Sequence, residues 1–249
     1  MRNLTAKERL ILAVDTSDVE SAFDLYQRTR GHVGMYKIGL ELFIAAGPPI
    51  VERLTQSGEK VFLDLKLHDI PNTVKGAVRS ALNMGVSLVT LHGLGGGAML
   101  EAAVQALQSR TLSPQGDSAR LLAVSILTHH ELKDIQGIGL KGNIEESALQ
   151  LIDLAGRSGI DGCVCSQKEV KSVRAKMGDD FLIVCPGIRP TGYPHGDQAR
   201  AATPFEAIKD GADYLVVGRP IRMDPDPASV AQSIVEEIEQ GLEQRARLP

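Results

Sequence analysis

Cysteine is scarce in this chain: three residues, Cys163, Cys165 and Cys185, in 249. An odd, sparse set makes no disulfide framework. Cys163 and Cys165 lie two apart in an apolar segment, so on a strand they share one face and read as small core residues of a reducing compartment. A cysteine metal site would need further Cys or His at ligand spacing, and the sequence offers none there. No apolar run approaches the roughly 20 residues of a membrane span. Residues 1–10 are polar and mixed in charge, without the apolar core of a signal peptide. A cytoplasmic location is the expectation. Excess positive charge is also missing: 27 Lys and Arg against 31 Asp and Glu give a net charge of -4. That argues against broad nucleic-acid binding, which needs a basic face, but not against a small anionic ligand, for which a few local cations suffice. There is no linker, no low-complexity tract and no break in composition; residues 113–118 read as a plain surface loop.

What the chain has is alternation. Hydrophobic residues make up 43% and charged residues 23%, enough for a sizeable core. Short apolar runs at 10–15, 33–38, 60–65, 87–91, 121–127, 162–164, 181–184 and 214–217 read as strands. Amphipathic stretches such as 19–30, 73–84, 97–109, 144–158 and 169–177 read as helices, with a last helix from about Pro227. Strands alternating with helices imply βαβ units and a parallel sheet. Eight such units in this length fit a single-domain (β/α)₈ TIM barrel over 1–249. A doubly wound open sheet would usually carry a glycine-rich fingerprint after the first strand, where Val14-Asp15-Thr16-Ser17-Asp18 stands instead.

Charges fall where strands end. Asp15 closes the first run, Lys37 sits in the second, and Asp64 and Lys66 close the third. In a parallel barrel all strand C-termini meet at one rim, which carries the active site. Asp64 and Lys66 are two apart and so point the same way, toward the barrel mouth, while Val61, Leu63 and Leu65 point toward the outer helices. A structural ion-pair network is the alternative reading. In Asp64-Leu65-Lys66-Leu67-His68-Asp69, a lysine flanked by carboxylates is favoured as the ammonium. That suits a fixed cation which stabilises developing negative charge and donates a proton, not a Schiff-base lysine.

The run Phe62-Leu63-Asp64-Leu65-Lys66-Leu67-His68-Asp69-Ile70-Pro71-Asn72-Thr73-Val74 resembles the signature of the orotidine 5′-phosphate decarboxylase family. Distant segments support the likeness: Asp15, Tyr36-Lys37-Ile38-Gly39, Leu127-Thr128, Pro186-Gly187-Ile188-Arg189, Gly196-Asp197-Gln198 and Val217-Gly218-Arg219. The resemblance spans essentially the whole chain. It implies a homodimeric barrel that converts orotidine monophosphate to uridine monophosphate and CO₂ with no cofactor and no metal. Position by position, it implies that Lys66 protonates the pyrimidine carbon, with Asp64 beside the departing carboxylate. Lys37 would continue the charge array toward the ribose, and Asp15 would bind a ribose hydroxyl. Asp69 and Thr73 would be donated across the dimer interface, and Thr128 would contact the base. His68 reads as a hydrogen-bonded structural residue. His129-His130 follow Thr128 where relatives often have a small polar residue.

Two late segments suit a phosphate. Residues 213–220 form an apolar strand ending in Gly218-Arg219, where glycine admits backbone N–H groups to an anion and arginine adds a bidentate donor. Barrels commonly bind phosphate after strands seven and eight. The segment 185–200 is long and glycine-rich, as a closing lid would be, and contains Arg189 and Gln198. The resemblance makes Gln198, Arg219 and the neighbourhood of Arg189 phosphate-gripping. Gly93-Leu94-Gly95-Gly96-Gly97 lacks the Gly-Lys-Thr/Ser ending of a P-loop and reads as a tight strand-to-helix turn. Two rivals remain at this point. One is a magnesium-dependent decarboxylase or aldolase of sugar phosphates that shares the Asp-x-Lys-x-x-Asp element. The other is a non-catalytic nucleotide binder, for which a lysine set among carboxylates has no evident use.

Overall fold

The computed structural model describes residues 4–108, 119–193 and 202–247. Its first half runs β1 (Leu10–Ala13), α1 (Val19–Thr29), β2 (Met35–Gly39), α2 (Leu40–Ala46), α3 (Pro48–Gln56), β3 (Val61–Leu67), α4 (Pro71–Asn83), β4 (Leu88–His92) and α5 (Gly96–Gln108). The second half runs β5 (Arg120–Val124), α6 (Leu132–Gly137), α7 (Ile144–Arg157), β6 (Gly162–Val164), α8 (Gln167–Met177), β7 (Leu182–Cys185), α9 (Pro204–Asp210), β8 (Tyr214–Val217), α10 (Arg219–Arg222) and α11 (Pro227–Ala246). The strands pair in parallel in sequence order and β8 pairs with β1, closing the barrel. This is the (β/α)₈ architecture that the alternation of apolar runs implies. The loop expected at 113–118 lies outside the described residues, as does Gln198.

Strand parity divides the core into two layers. Ile11, Ala13, Met35, Phe62, Leu88, Leu122, Leu182, Val184, Tyr214 and Val216 fill the barrel interior. Their strand neighbours, among them Leu12, Tyr36, Val61, Leu63, Val89 and Leu121, face outward and pack under the helices against Leu25, Val51, Val78, Leu100, Val170 and Ile234. All three cysteines belong to this outer layer and are free and buried, as their spacing implies. Several helices start where the sequence provides a cap or a preset turn. Asp18 accepts the Ser21 N–H at the start of α1, and Asn143 accepts the Glu146 N–H in a reciprocal capping box at α7. Gly47, at φ 66, ends α2, and Pro48 opens α3 at once.

Strand ends differ from the apolar runs. β1 stops at Ala13, not at residue 15, and β5 stops at Val124, not at 127. Both shortenings lie at the C-terminal rim, where the regular ladder gives way to loops. Single rungs still run on past each end, from Val14 N–H to the Lys37 carbonyl (3.1 Å) and from Ser125 N–H to the Val164 carbonyl (3.4 Å). Asp15 and Thr128 are therefore loop residues at the rim. Gly93–Gly95 form a single 3₁₀ turn into α5, in keeping with a tight strand-to-helix connection.

Candidate active site

Lys37 shares the inward parity of Met35, and Asp64 that of Phe62, so both rise from the barrel's interior layer to its C-terminal mouth. β2 sets Gly39 beside Asp64 in register. A side chain at Gly39 would put a Cβ 3.1 Å from Lys37 Nζ and 3.5 Å from Asp15 Oδ1, so this glycine leaves room for that pair. Lys37 Nζ lies 3.0 Å from Asp15 Oδ1 and 3.6 Å from Asp64 Oδ2. Lys66 Nζ donates to Asp64 Oδ1 at 2.9 Å. The result is a continuous array of alternating sign: Asp15, Lys37, Asp64, Lys66. Its centre is dry and its ends are wetter. The side chains of Lys37 and Asp64 are 11% and 13% exposed, against 30% for Lys66 and 49% for Asp15.

Burial alone would push the Asp64 carboxyl up. Lys37 and Lys66, with hydrogen bonds from Lys66 and Thr90, outweigh it and hold the group below the ordinary carboxylate value. Asp64 is thus an anion, and the inner carboxylate keeps two ammonium groups close together at one end of the barrel. Lys66 carries a further feature. Its φ is 50°, the only positive value at a non-glycine position among the described residues. A left-handed conformation at such a residue costs on the order of 1–3 kcal/mol and persists where the surroundings enforce it. Simple alternation along β3 holds through Asp64; at Lys66 the backbone leaves the extended region and turns the side chain back over Asp64.

Thr90, which the sequence does not single out, completes the cluster. It is fully buried, donates to Asp64 Oδ1 at 3.0 Å and accepts the Lys66 N–H at 2.9 Å. His68 stacks on His92, ring centroids 5.6 Å apart. His92 Nδ1 accepts the Leu94 N–H at 3.3 Å, and burial together with His68, Lys66 and His130 pushes its pKa down. The neutral His92 ring serves as an acceptor, whereas His68, expected as a hydrogen-bonded residue, is held by the ring stack.

Asp69 stands apart from this array. It is exposed, and its Oδ1 accepts the adjacent Ile70 N–H at 2.6 Å, with no ion pair to Lys66 within the chain. Thr73, in the first turn of α4, is exposed as well. Thr128 is half-buried in a turn closed by His130 N–H on the Leu127 carbonyl.

The anion end lies next to Asp15. A Cβ at Gly218 would stand 3.4 Å from Ala13 Cβ and 3.6 Å from Asp15 Oδ2, so the β8 exit and the charge array share one stretch of rim. Gly218 caps the short helix α10, whose first residue, Arg219, is exposed. After β7, Gly187 takes φ 74 and Arg189 pairs its N–H with the Ala202 carbonyl (2.9 Å) beside an Ile188–Ala202 bridge. The Arg189 side chain is buried and donates to the Ile188 carbonyl at 3.0 Å. Farther along, Thr191 donates its N–H and hydroxyl to Glu237 of α11, both at 3.0 Å. The base of the β7–α9 segment is therefore anchored at both its described ends. Among the described residues no group of three His, Cys, Asp or Glu is placed to hold a metal ion, and no helix is long and apolar enough to cross a membrane.

Comparison with known proteins agrees with this geometry. Residues 8–234 match the family described as Orotidine 5′-phosphate decarboxylase / HUMPS family. Orotidine 5′-phosphate decarboxylase of Moorella thermoacetica is 41% identical over 240 residues, covering 96% of this chain and 95% of that protein. The enzyme of the same name from Anaeromyxobacter sp. (strain K) is 46% identical over 227 residues, covering 91% and 96%. The crystal structure of orotidine 5′-phosphate decarboxylase from Lactobacillus acidophilus superposes with a TM-score of 0.83 at 36% identity, covering 92% of this chain and 98% of that one.

Proposed function

The chain belongs to the orotidine 5′-phosphate decarboxylase family, and from its rim we propose how it converts orotidine 5′-monophosphate to uridine 5′-monophosphate and CO₂. The observation that carries the proposal is the Lys66 ammonium, held 2.9 Å from a largely buried carboxylate at the barrel mouth. Gly218 and Arg219 grip the substrate phosphate, with Gln198 and the neighbourhood of Arg189 from the segment after β7. Asp15 and Lys37 take the ribose hydroxyls, and Thr128 contacts the base. This remote binding fixes the pyrimidine over Lys66. The bond from ring carbon to carboxylate breaks, CO₂ leaves, and the electron pair stays on the ring carbon. The ammonium beside it stabilises that charge and then transfers its proton there, forming the C–H bond of the product. Solvent returns a proton to the neutral amine. Asp64, 2.9 Å from the Lys66 ammonium, keeps it aimed at that carbon until the proton is transferred.

In this reading residues 1–249 form one barrel domain, and the enzyme is a cytoplasmic homodimer. Asp69 and Thr73 reach the neighbouring site rather than their own. The exposure of Asp69 supports this, as do exposed apolar residues next to it in sequence and just after the neighbouring strands. Ile70 is 67% exposed, and Leu40 and Leu94 are exposed at the ends of the adjacent strands β2 and β4. Sedimentation of the purified protein should give twice the chain mass of 26.7 kDa, whereas a stable, fully active monomer would remove Asp69 and Thr73 from the mechanism.

The test of function is the ultraviolet absorbance of orotidine monophosphate mixed with purified protein, with and without chelator. Loss of the substrate band at equal rates in both is the expected result, because the lysine supplies the charge that a magnesium ion supplies in sugar-phosphate relatives. Strict dependence on added magnesium, or a stable spectrum, would contradict the proposal.

A further inference from the structure

Thr90 sits opposite an irregularity in the barrel. β3 and β4 pair as Leu63 with Val89, then as Leu67 with Leu91, so β3 advances four residues while β4 advances two. Residues 64–66 of β3 thus stand across from Thr90 alone. This is a bulge with two extra residues, and such bulges re-aim side chains at barrel rims. The bulge is where Lys66 takes φ 50. Across it the regular ladder cannot continue, and the Thr90 hydroxyl bridges the gap. One oxygen accepts the Lys66 N–H (2.9 Å) and donates its proton to Asp64 Oδ1 (3.0 Å), the same oxygen that receives Lys66 Nζ (2.9 Å). A threonine hydroxyl has one donor and two acceptor sites, so both bonds can form together. The side chain is completely buried.

We infer that Thr90 is a positioning residue: its hydroxyl clamps the Lys66 backbone and the Asp64 carboxylate to one another, and so sets where the Lys66 ammonium stands. Its kinetic consequence rests on the function proposed above; its structural consequence does not. The groups that face Asp64 are Lys37 from β2, Lys66 from β3 and Thr90 from β4, with Asp15 beyond Lys37. Removing the hydroxyl takes away one of the donors to the carboxylate and loosens the backbone under the ammonium.

The experiment compares Thr90→Val, which keeps the shape, with Thr90→Ser, which keeps the hydroxyl. Two readouts are taken: steady-state kinetics with orotidine monophosphate, and titration of the Asp64 carboxyl by carbon NMR. Thr90→Val should lower kcat by about 10- to 100-fold, as a displaced catalytic group does, with KM changed less than about threefold. Its Asp64 should titrate at higher pH than in the parent, and the acid limb of kcat should move the same way. Thr90→Ser should recover most of the rate and the parent titration. If Thr90→Val does not fold, Thr90→Ala takes its place with the same expectations. Equal losses in the Ser and Val proteins, or a Val protein with unchanged kcat and unchanged Asp64 titration, would overturn the inference. A parent protein that does not consume orotidine monophosphate would instead count against the proposed function, and the NMR titration alone would then decide the role of Thr90.

Discussion

Replacing Lys66 with alanine should lower the rate of orotidine monophosphate decarboxylation by about 10⁴-fold or more, while the barrel still folds. Two separate tasks are lost at once. A single preorganised donor at a developing anion is worth about 10²–10³ in rate, and a positioned proton donor about 10²–10⁴. The fold should survive because Asp64 does not become an orphan. Its Oδ2 still faces Lys37 at 3.6 Å and its Oδ1 still accepts from Thr90 at 3.0 Å. Lys66 itself is only half-buried and belongs to the rim, not to the interior layer. Circular dichroism and a thermal melt should resemble the parent, and the spectroscopic assay should show almost no turnover. Near-parental turnover by the folded variant would contradict the assignment of the proton donor.

Asp64→Asn should cost about 10²–10³ in rate, because the neutral amide leaves the Lys66 ammonium without its fixed anion. It should also cost about 1–3 kcal/mol of stability at neutral pH, since two ammonium groups then face each other with less compensation. The loss is held down by Asp15, which still pairs with Lys37 at 3.0 Å. The pH dependence gives the sign. The Asp64 carboxyl is held below its ordinary 3.8 in the folded chain. A group with a depressed folded pKa contributes stability above the unfolded value and loses it as pH falls through the folded one. Denaturant melts across acidic pH should therefore show the parent and the Asn protein converging below about pH 4, with the parent more stable above. Curves that stay parallel down to strong acid would mean that the Asp64 charge is not what Lys37 and Lys66 lean on.

Much of this was legible in the residues because parallel barrels turn sequence position into spatial position. A charge at the end of an apolar run lands on the rim, and inward parity can be counted back from Phe62 to Asp64 and from Met35 to Lys37. The outward set Val61 and Leu63 follows from the same count, and Leu65 packs against that layer as well. The resemblance of the run at 62–74 added residue roles that no periodicity supplies. Three features stayed hidden, each for a physical reason. The left-handed turn at Lys66 has no sequence sign, since lysine has no preference for it; the surroundings impose it. Thr90 looks like any β-branched strand residue, and its two bonds exist only because the β3–β4 register slips beside it. His92 reads as a strand end until its stack on His68 is known. β1 and β5 end short of their apolar runs because apolar residues continue past the last regular rungs. Local hydrophobicity cannot report where the regular ladder stops.

The bulge also explains why one strand can hold two groups of the array. In an unbroken strand, residues two apart stand side by side and their charged ends project in parallel. With residues 64–66 opposite Thr90 alone, the chain folds back enough for the Lys66 ammonium to close on Asp64 at 2.9 Å. Sequence, backbone conformation and electrostatics converge on the same few atoms.

The most direct measurement is a crystal structure of the protein with uridine monophosphate bound. The account predicts the phosphate against Gly218 and Arg219, the ribose near Asp15 and Lys37, and Lys66 Nζ about 3–3.5 Å from the ring carbon that had carried the carboxylate. A nucleotide seated with its base away from Lys66, or with its phosphate at a different part of the rim, would contradict it.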